Sequence, residues 1–171
     1  GKQTMSYISQ KIKNKNKAKY DVVIVGAGPE GISATLEAAR RNLRYVTLEQ
    51  DTLGGTVSNF PRAKIVMTSA MDLPLHGKVK LSETSKSELL NLWNEVLTKN
   101  NIKINELEKV EKIEKQGDML IVQTNKEHYT TKSVLLSIGR RGSPRKLDVP
   151  GEEKEKVYYR LLEPELIHNM N

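Results

Sequence analysis

The stretch from Asp21 to Glu49, DVVIVGAGPEGISATLEAARRNLRYVTLE, decides how the rest of the chain is read. Val22 to Val25 is a short β-branched run, which suits a strand buried on both faces of a parallel sheet. From Pro29 to Arg41 the period changes. Ile32, Leu36 and Ala39 recur at helical spacing, and Tyr45 to Leu48 then reads as a second strand. Strand, glycine turn, helix, strand is a βαβ unit.

The turn carries Gly26, Gly28 and Gly31 at the spacing G-x-G-x-x-G, filled in by Ala27, Pro29 and Glu30. The first glycine permits a sharp exit from the strand, the second lets backbone approach a pyrophosphate, and the third allows helix and strand to pack closely. A helix starting near Pro29 turns its unpaired N–H groups and positive dipole end toward the phosphates, and proline suits a first helical position. Glu49 stands 18 residues beyond Gly31, at the end of the second strand, where an acid accepts hydrogen bonds from ribose hydroxyls and disfavours a 2′-phosphate. Gln50 is a weaker candidate for the same region. The glycines do not distinguish a nicotinamide from a flavin dinucleotide, and a tight turn without any ligand is the plainer alternative.

The 171 residues suffice for one domain with a substantial core. A 37% apolar and 29% charged composition is that of a soluble globular protein, and with no membrane-spanning run or signal-peptide pattern the expected location is cytoplasmic. There is no cysteine, hence no disulfide framework, thiolate metal site or redox dithiol within these residues. His76, His128 and His168 have no metal-ligand spacing, so no metal site is expected. The net charge of +7 is concentrated in residues 1–19, which hold six lysines and no acid. They read as a flexible basic leader or linker rather than a nucleic-acid arm, since aromatic stacking partners are scarce.

Downstream, DTLGGTVSNFPRAK is irregular, and residues 84–99 return to helix. There Ser85 and Glu88 form a capping-box pattern, and Leu89, Leu92, Trp93 and Val96 make one apolar stripe. Trp93 is expected in the core. IKIN, EKVEKIEK, DMLIVQT and HYTTKSVLLSIG read as short strands, with turns at Gln116-Gly117 and Asn125-Lys126. RRGSPRKLDVPGE, crowded with glycine, proline and cations, cannot continue a strand; by composition it is a charged surface loop.

With SVLLSIGRRGSPRKLDVPGE in place, residues 20–171 resemble the two-dinucleotide-domain flavoprotein reductases of the thioredoxin reductase type, most of all the cysteine-poor members related to bacillithiol disulfide reductase. The resemblance implies an α/β fold: a Rossmann-like FAD-binding domain with a central parallel sheet and a small antiparallel β element. It places the FAD pyrophosphate on Gly26, Gly28 and Gly31 and the adenosine ribose on Glu49. It likewise implies that Gly54, Gly55 and Thr56, in LGGT, pass the flavin side, that Val110 contacts adenine through its backbone, and that Ile138 and Gly139 run near the cofactor.

On this pattern residues 20–150 are the first part of the FAD domain. Residues 151–171 lead toward an NAD(P)H-binding domain that this chain does not hold, because family members carry a second glycine fingerprint just beyond and this sequence has one. The implied activity is electron transfer from NAD(P)H through FAD to an unspecified small-molecule or protein acceptor. A homodimer is implied for the full-length protein, and neither nucleic acid nor membrane is an expected partner. A stand-alone NAD-binding regulatory module and a basic-armed binding protein are the alternatives.

Overall fold

The computed structural model describes residues 1–12, 17–61, 64–81, 83–139 and 145–159. The heart of the fold is a three-stranded parallel sheet. Its central strand is β1 (Val22–Val25). After the glycine turn, α2 (Pro29–Arg40) leads to β2 (Tyr45–Leu48), which pairs with β1 from Val22↔Tyr45 to Val25↔Leu48. The strand on the other flank comes from far along the chain: β10 (Val134–Leu136) pairs in parallel from Val23↔Val134 to Val25↔Leu136.

A central parallel strand is covered on both faces, and alternate residues of β1 divide the work. Val22 and Ile24 pack against Ala34 and Ala38 of α2 and against Met5 and Ile8. Val23 faces the other way, with Leu48, Val122 and Tyr129. The second cover is an antiparallel meander of β7 (Val110–Gln116), β8 (Met119–Thr124) and β9 (His128–Thr131). The parallel sheet and small antiparallel element are therefore both as expected.

Met5 and Ile8 belong to α1 (Lys2–Lys11), which corrects the flexible-leader expectation over those residues; residues 13–16 of that stretch lie outside the described residues. Met5, Ile8 and Ile12 lie three and four residues apart, a short helical stripe that the surrounding lysines obscure. Met5 is fully buried. The helix runs beside α2 in the same direction. Gly1 sits so close that a Cβ there would come within 2.5 Å of the Glu30 carbonyl oxygen, and at the far end Arg41 donates to Ser9 Oγ at 3.0 Å. Glu37 of α2, with a buried side chain, accepts from both Arg40 and Arg41 at 2.6–2.8 Å. The Arg40 bonds hold its carboxyl below the usual range against the opposing effect of burial, with Arg41 adding to them.

On its outer side α2 presents Ile32 and Leu36 to a second core formed with α3 (Lys86–Lys99), where Leu89, Trp93, Val96 and Leu97 are buried. The Ser85–Glu88 capping box is present in both directions, at 3.1 and 2.8 Å. The helix expected over 84–99 begins at Lys86, because Ser85 is its N-cap in extended conformation. Ahead of it, where the sequence suggested no element before residue 84, lie two small antiparallel pairs. These are β3 (Ile65–Met67) with β6 (Glu83–Ser85), and β4 (Met71–Leu73) with β5 (Gly77–Val79). Of IKIN only Asn105 makes a strand contact, a single bridge to Leu48. HYTTKSVLLSIG is not one strand but two, broken at Lys132 and Ser133 so that β9 serves the meander and β10 the parallel sheet.

At the amino ends of the parallel strands Asp21 accepts from Arg44 at 2.9–3.2 Å and pairs with Lys132 at 2.9 Å. Burial alone would raise its pKa, yet the hydrogen bonds from Arg44 and Lys132 hold the carboxyl well below the usual range.

Two outcomes test this architecture by urea unfolding. Met5→Ala lowers stability by about 2–5 kcal/mol, as for other buried large-to-small changes, whereas Lys11→Ala on the exposed face is neutral; equal behaviour of the two would return the segment to a leader. Asp21→Asn destabilises at neutral pH by about 1–3 kcal/mol. Because the native carboxyl titrates below the unfolded one, that gap is full above about pH 4 and closes on further acidification.

Candidate functional site

Three parallel strands present their carboxyl ends together, the edge at which open α/β sheets bind ligands. From β1 comes Gly26, from β2 Glu49, and from β10 Ser137. The glycine turn is fixed from both sides: Gly26 N–H donates to the Leu48 carbonyl at 2.7 Å, and Ser137 N–H to the Val25 carbonyl at 2.8 Å.

The three fingerprint glycines differ in what surrounds them. A Cβ at Gly31 would fall 1.9 Å from the Gly26 carbonyl oxygen, and one at Gly26, whose φ is +102°, would fall 2.4 Å from the Ser137 carbonyl oxygen. Both are glycine because helix and strands cross there. Gly28 has an ordinary extended backbone (φ −75°, ψ −174°), and among the described residues a Cβ there would meet no atom within 4 Å. It is the N-cap of α2, and no side chain caps that helix; Pro29 and Glu30 beside it are exposed.

Glu49 is 5% exposed, and its carboxylate is engaged by backbone. Oε2 accepts from Ala27 N–H at 2.7 Å and Oε1 from Asp51 N–H at 3.0 Å. The acid at the end of β2 therefore also holds the middle of the glycine turn, while Gln50 next to it is exposed. The LGGT turn reaches the same place. Gly54 N–H donates to the Ala27 carbonyl at 3.0 Å, and a Cβ at Gly55 would lie 3.3 Å from Gly28 Cα. Thr56 follows, half-buried.

On the outer side of β2 the chain returns as residues 105–110, ending in half-buried Val110 at the start of β7. Glu49 N–H donates to the Asn105 carbonyl, and Glu108 N–H to the Glu49 carbonyl, both at 2.8 Å. Beneath this segment lies a buried polar cluster. Glu108 accepts from Thr124 Oγ1 at 2.9 Å and from Asn105 Nδ2 at 3.1 Å, and Tyr129 Oη stands 2.7 Å from Glu108 and 2.8 Å from Glu127. Burial, then these two carboxylates, push the Tyr129 hydroxyl far above its ordinary value, so it remains a donor.

The structure thus brings Glu49, Gly54 and Gly55 each against the Gly26 to Gly31 turn, with Val110 packed on the cluster that holds Leu48 of β2. Ile138 and Gly139 leave β10 at this edge, Ile138 64% exposed and Gly139 with φ +67°. Residues 140–144, the specific part of the RRGSPRKL motif, and 160–171 lie outside the described residues. Ser137 is the residue that sequence reasoning missed. Its hydroxyl lies 2.9 Å from the Val25 carbonyl and 3.0 Å from that of Gly26, joining β10 to the glycine turn. A serine between an apolar strand and Ile-Gly carries no local mark of that contact.

A family model described as pyridine nucleotide-disulphide oxidoreductase matches residues 23–169. The chain belongs to that family. It is 28% identical to the bacilliredoxin reductase Bdr of Bacillus subtilis, over 80% of this chain and 44% of that protein. It is 31% identical to a ferredoxin–NADP reductase of Pediococcus pentosaceus, over 89% and 45%. Among solved structures, the bacillithiol disulfide reductase Bdr of Staphylococcus aureus superposes with a TM-score of 0.72 at 24% identity, covering 85% of this chain and 46% of that one. Lactococcus lactis thioredoxin reductase gives 0.58 at 30% identity, covering 79% and 40%. The chain spans less than half the length of these relatives.

The Glu49 contacts make a prediction independent of any ligand. Glu49→Ala leaves the N–H groups of Ala27 and Asp51 without acceptors. It should lower the ligand-free stability by about 1–3 kcal/mol in denaturant unfolding, whereas an acid serving a ribose alone would leave it unchanged.

Proposed function

We propose that residues 20–150 are the FAD-binding part of an NAD(P)H-dependent flavoprotein oxidoreductase. The observation that carries this reading is Gly28. Its backbone conformation requires no glycine, and among the described residues nothing occupies the space a side chain would take, which lies before a helix N-terminus without a side-chain cap. A diphosphate fits such a place, because its charge is met by the first-turn N–H groups and dipole of α2 and its oxygens require close backbone approach. Family membership directs the choice toward FAD.

In this reading Gly26, Ala27, Gly28, Pro29, Glu30 and Gly31 border the diphosphate. Glu49, with Gln50 beside it, accepts from the ribose hydroxyls through lone pairs left over from the Ala27 and Asp51 N–H groups. Val110 offers backbone to the adenine. Gly54, Gly55 and Thr56, with Ile138 and Gly139, border the cofactor toward its flavin end. The chemistry that bound FAD supplies is two-electron transfer between a nicotinamide and an acceptor. This chain's own contribution is to bind and orient; its residues include no cysteine for a thiol relay. The nicotinamide co-substrate is assigned to none of residues 1–171, which hold a single G-x-G-x-x-G. The relatives' names include a bacilliredoxin reductase, a thioredoxin reductase and a ferredoxin–NADP reductase, three different redox partners, so no single acceptor is assigned.

The test is the visible absorption spectrum of the protein after incubation with FAD and removal of the excess. Retained flavin absorption is expected; thermal stabilisation by NAD with no retained flavin would overturn the reading. Gly28→Val sharpens it. Lost N-cap preference costs no more than about 1 kcal/mol, so the variant folds, while the branched side chain fills the diphosphate's place and FAD retention falls at least tenfold.

A further inference from the structure

Among the described residues five non-glycine positions have positive φ: Asn42, Leu75, Asn101, Leu107 and Asp148. Asn42 and Asn101 directly follow the C-caps of α2 and α3, where asparagine commonly takes this conformation. Leu75 lies in the hairpin between β4 and β5. Leu107 (φ +54°) ends no helix and turns no hairpin, and its side chain is 62% exposed. A bulky residue in the left-handed region without burial to compensate is strained, and such strain collects at ligand sites.

What imposes the conformation is a set of bonds to the residues around Glu49. Leu107 N–H donates to the Asp51 carbonyl at 2.9 Å and Glu108 N–H to the Glu49 carbonyl at 2.8 Å. Glu106 accepts from Leu53 N–H through its side chain and from Lys126 Nζ, at 3.0 Å, through its carbonyl. Three consecutive residues are thus tied to the turn after β2 or to the meander, and the leucine between them is left outward.

We propose that Leu107 is the apolar platform on which the adenine of the bound dinucleotide rests. The inference depends on the FAD reading above. A dinucleotide places ribose between diphosphate and base. With the diphosphate at Gly28 and the ribose at Glu49, the base lies past Glu49, along residues 50–51 and 107–110. Glu49, Gln50, Asp51, Glu106, Glu108 and Lys109 are polar or charged, and Val110 is half-buried. Leu107 is the exposed apolar side chain of that border, and a purine face is best covered by apolar surface. The strained backbone holds the leucine in place before the base arrives.

Leu107→Asn tests this, because asparagine tolerates positive φ and keeps the backbone while removing the apolar surface. The readout is calorimetric affinity for ADP and for UDP, which share ribose and diphosphate and differ in base. Wild type binds ADP more tightly. In the variant, ADP affinity falls roughly fivefold while UDP affinity changes little, with ligand-free Tm unchanged or raised. Proportional loss of both nucleotides, or no loss of ADP affinity, would overturn the role of Leu107 and leave the FAD reading intact. A wild-type protein that binds neither nucleotide would overturn the FAD reading and this inference with it.

Discussion

The structure depends on the close crossing of Gly26 and Gly31. Where β1 ends and α2 begins, the backbones approach so closely that any side chain at Gly31 would overlap the Gly26 carbonyl, 1.9 Å from its first carbon. This contact sets the first turn of α2 directly over the end of the central strand. Ser137 closes the same knot from the third side, its hydroxyl within 3.0 Å of the Gly26 carbonyl. The glycine turn is therefore held by packing and hydrogen bonds before any ligand contributes, and Gly28, at its apex, is the fingerprint glycine left facing open space.

The sheet distributes tasks by direction. At the amino ends of the strands, charge is neutralised internally: Asp21 is met by Arg44 and Lys132. At the carboxyl ends the partners are mostly backbone. Glu49 accepts from the N–H groups of Ala27 and Asp51, and among the described residues it pairs with no cation. A carboxylate held by neutral donors keeps both its charge and spare lone pairs, which suits it to receive hydroxyl groups. An arginine in that place would have occupied its oxygens in a bidentate pair.

Around this edge the chain forms its border from pieces far apart in sequence. LGGT follows β2 directly, but residues 105–110 arrive after α3 and its hairpins, and Ser137 only after the meander. The buried cluster of Glu108, Asn105, Thr124 and Tyr129 fixes the second of these. Its anionic centre, surrounded by donors, ties β8 and β9 to the segment beside Glu49, so the meander covers one face of the sheet and also supports the border of the site.

The βαβ unit, the glycine spacing, Glu49, the Ser85 capping box and the Trp93 stripe were legible in the sequence because each is governed by local physics: backbone sterics, helical period or a three-residue hydrogen-bond reach. What only the tertiary structure decided is what those signals meet. The lysines of residues 1–19 gave α1 the composition of a solvated leader, and burial of Met5 against Val22 and Ile24 overrides it, since three apolar residues at the right spacing suffice once a sheet face is waiting. HYTTKSVLLSIG has one continuous strand composition, but its halves pair with different sheets. Pairing is a choice between partners, and neither partner is within the segment. Ser137 and Leu107 carry no local mark for the same reason: a hydroxyl placed on Gly26, or a leucine held outward beside Glu49, is a property of two segments brought together, not of either alone.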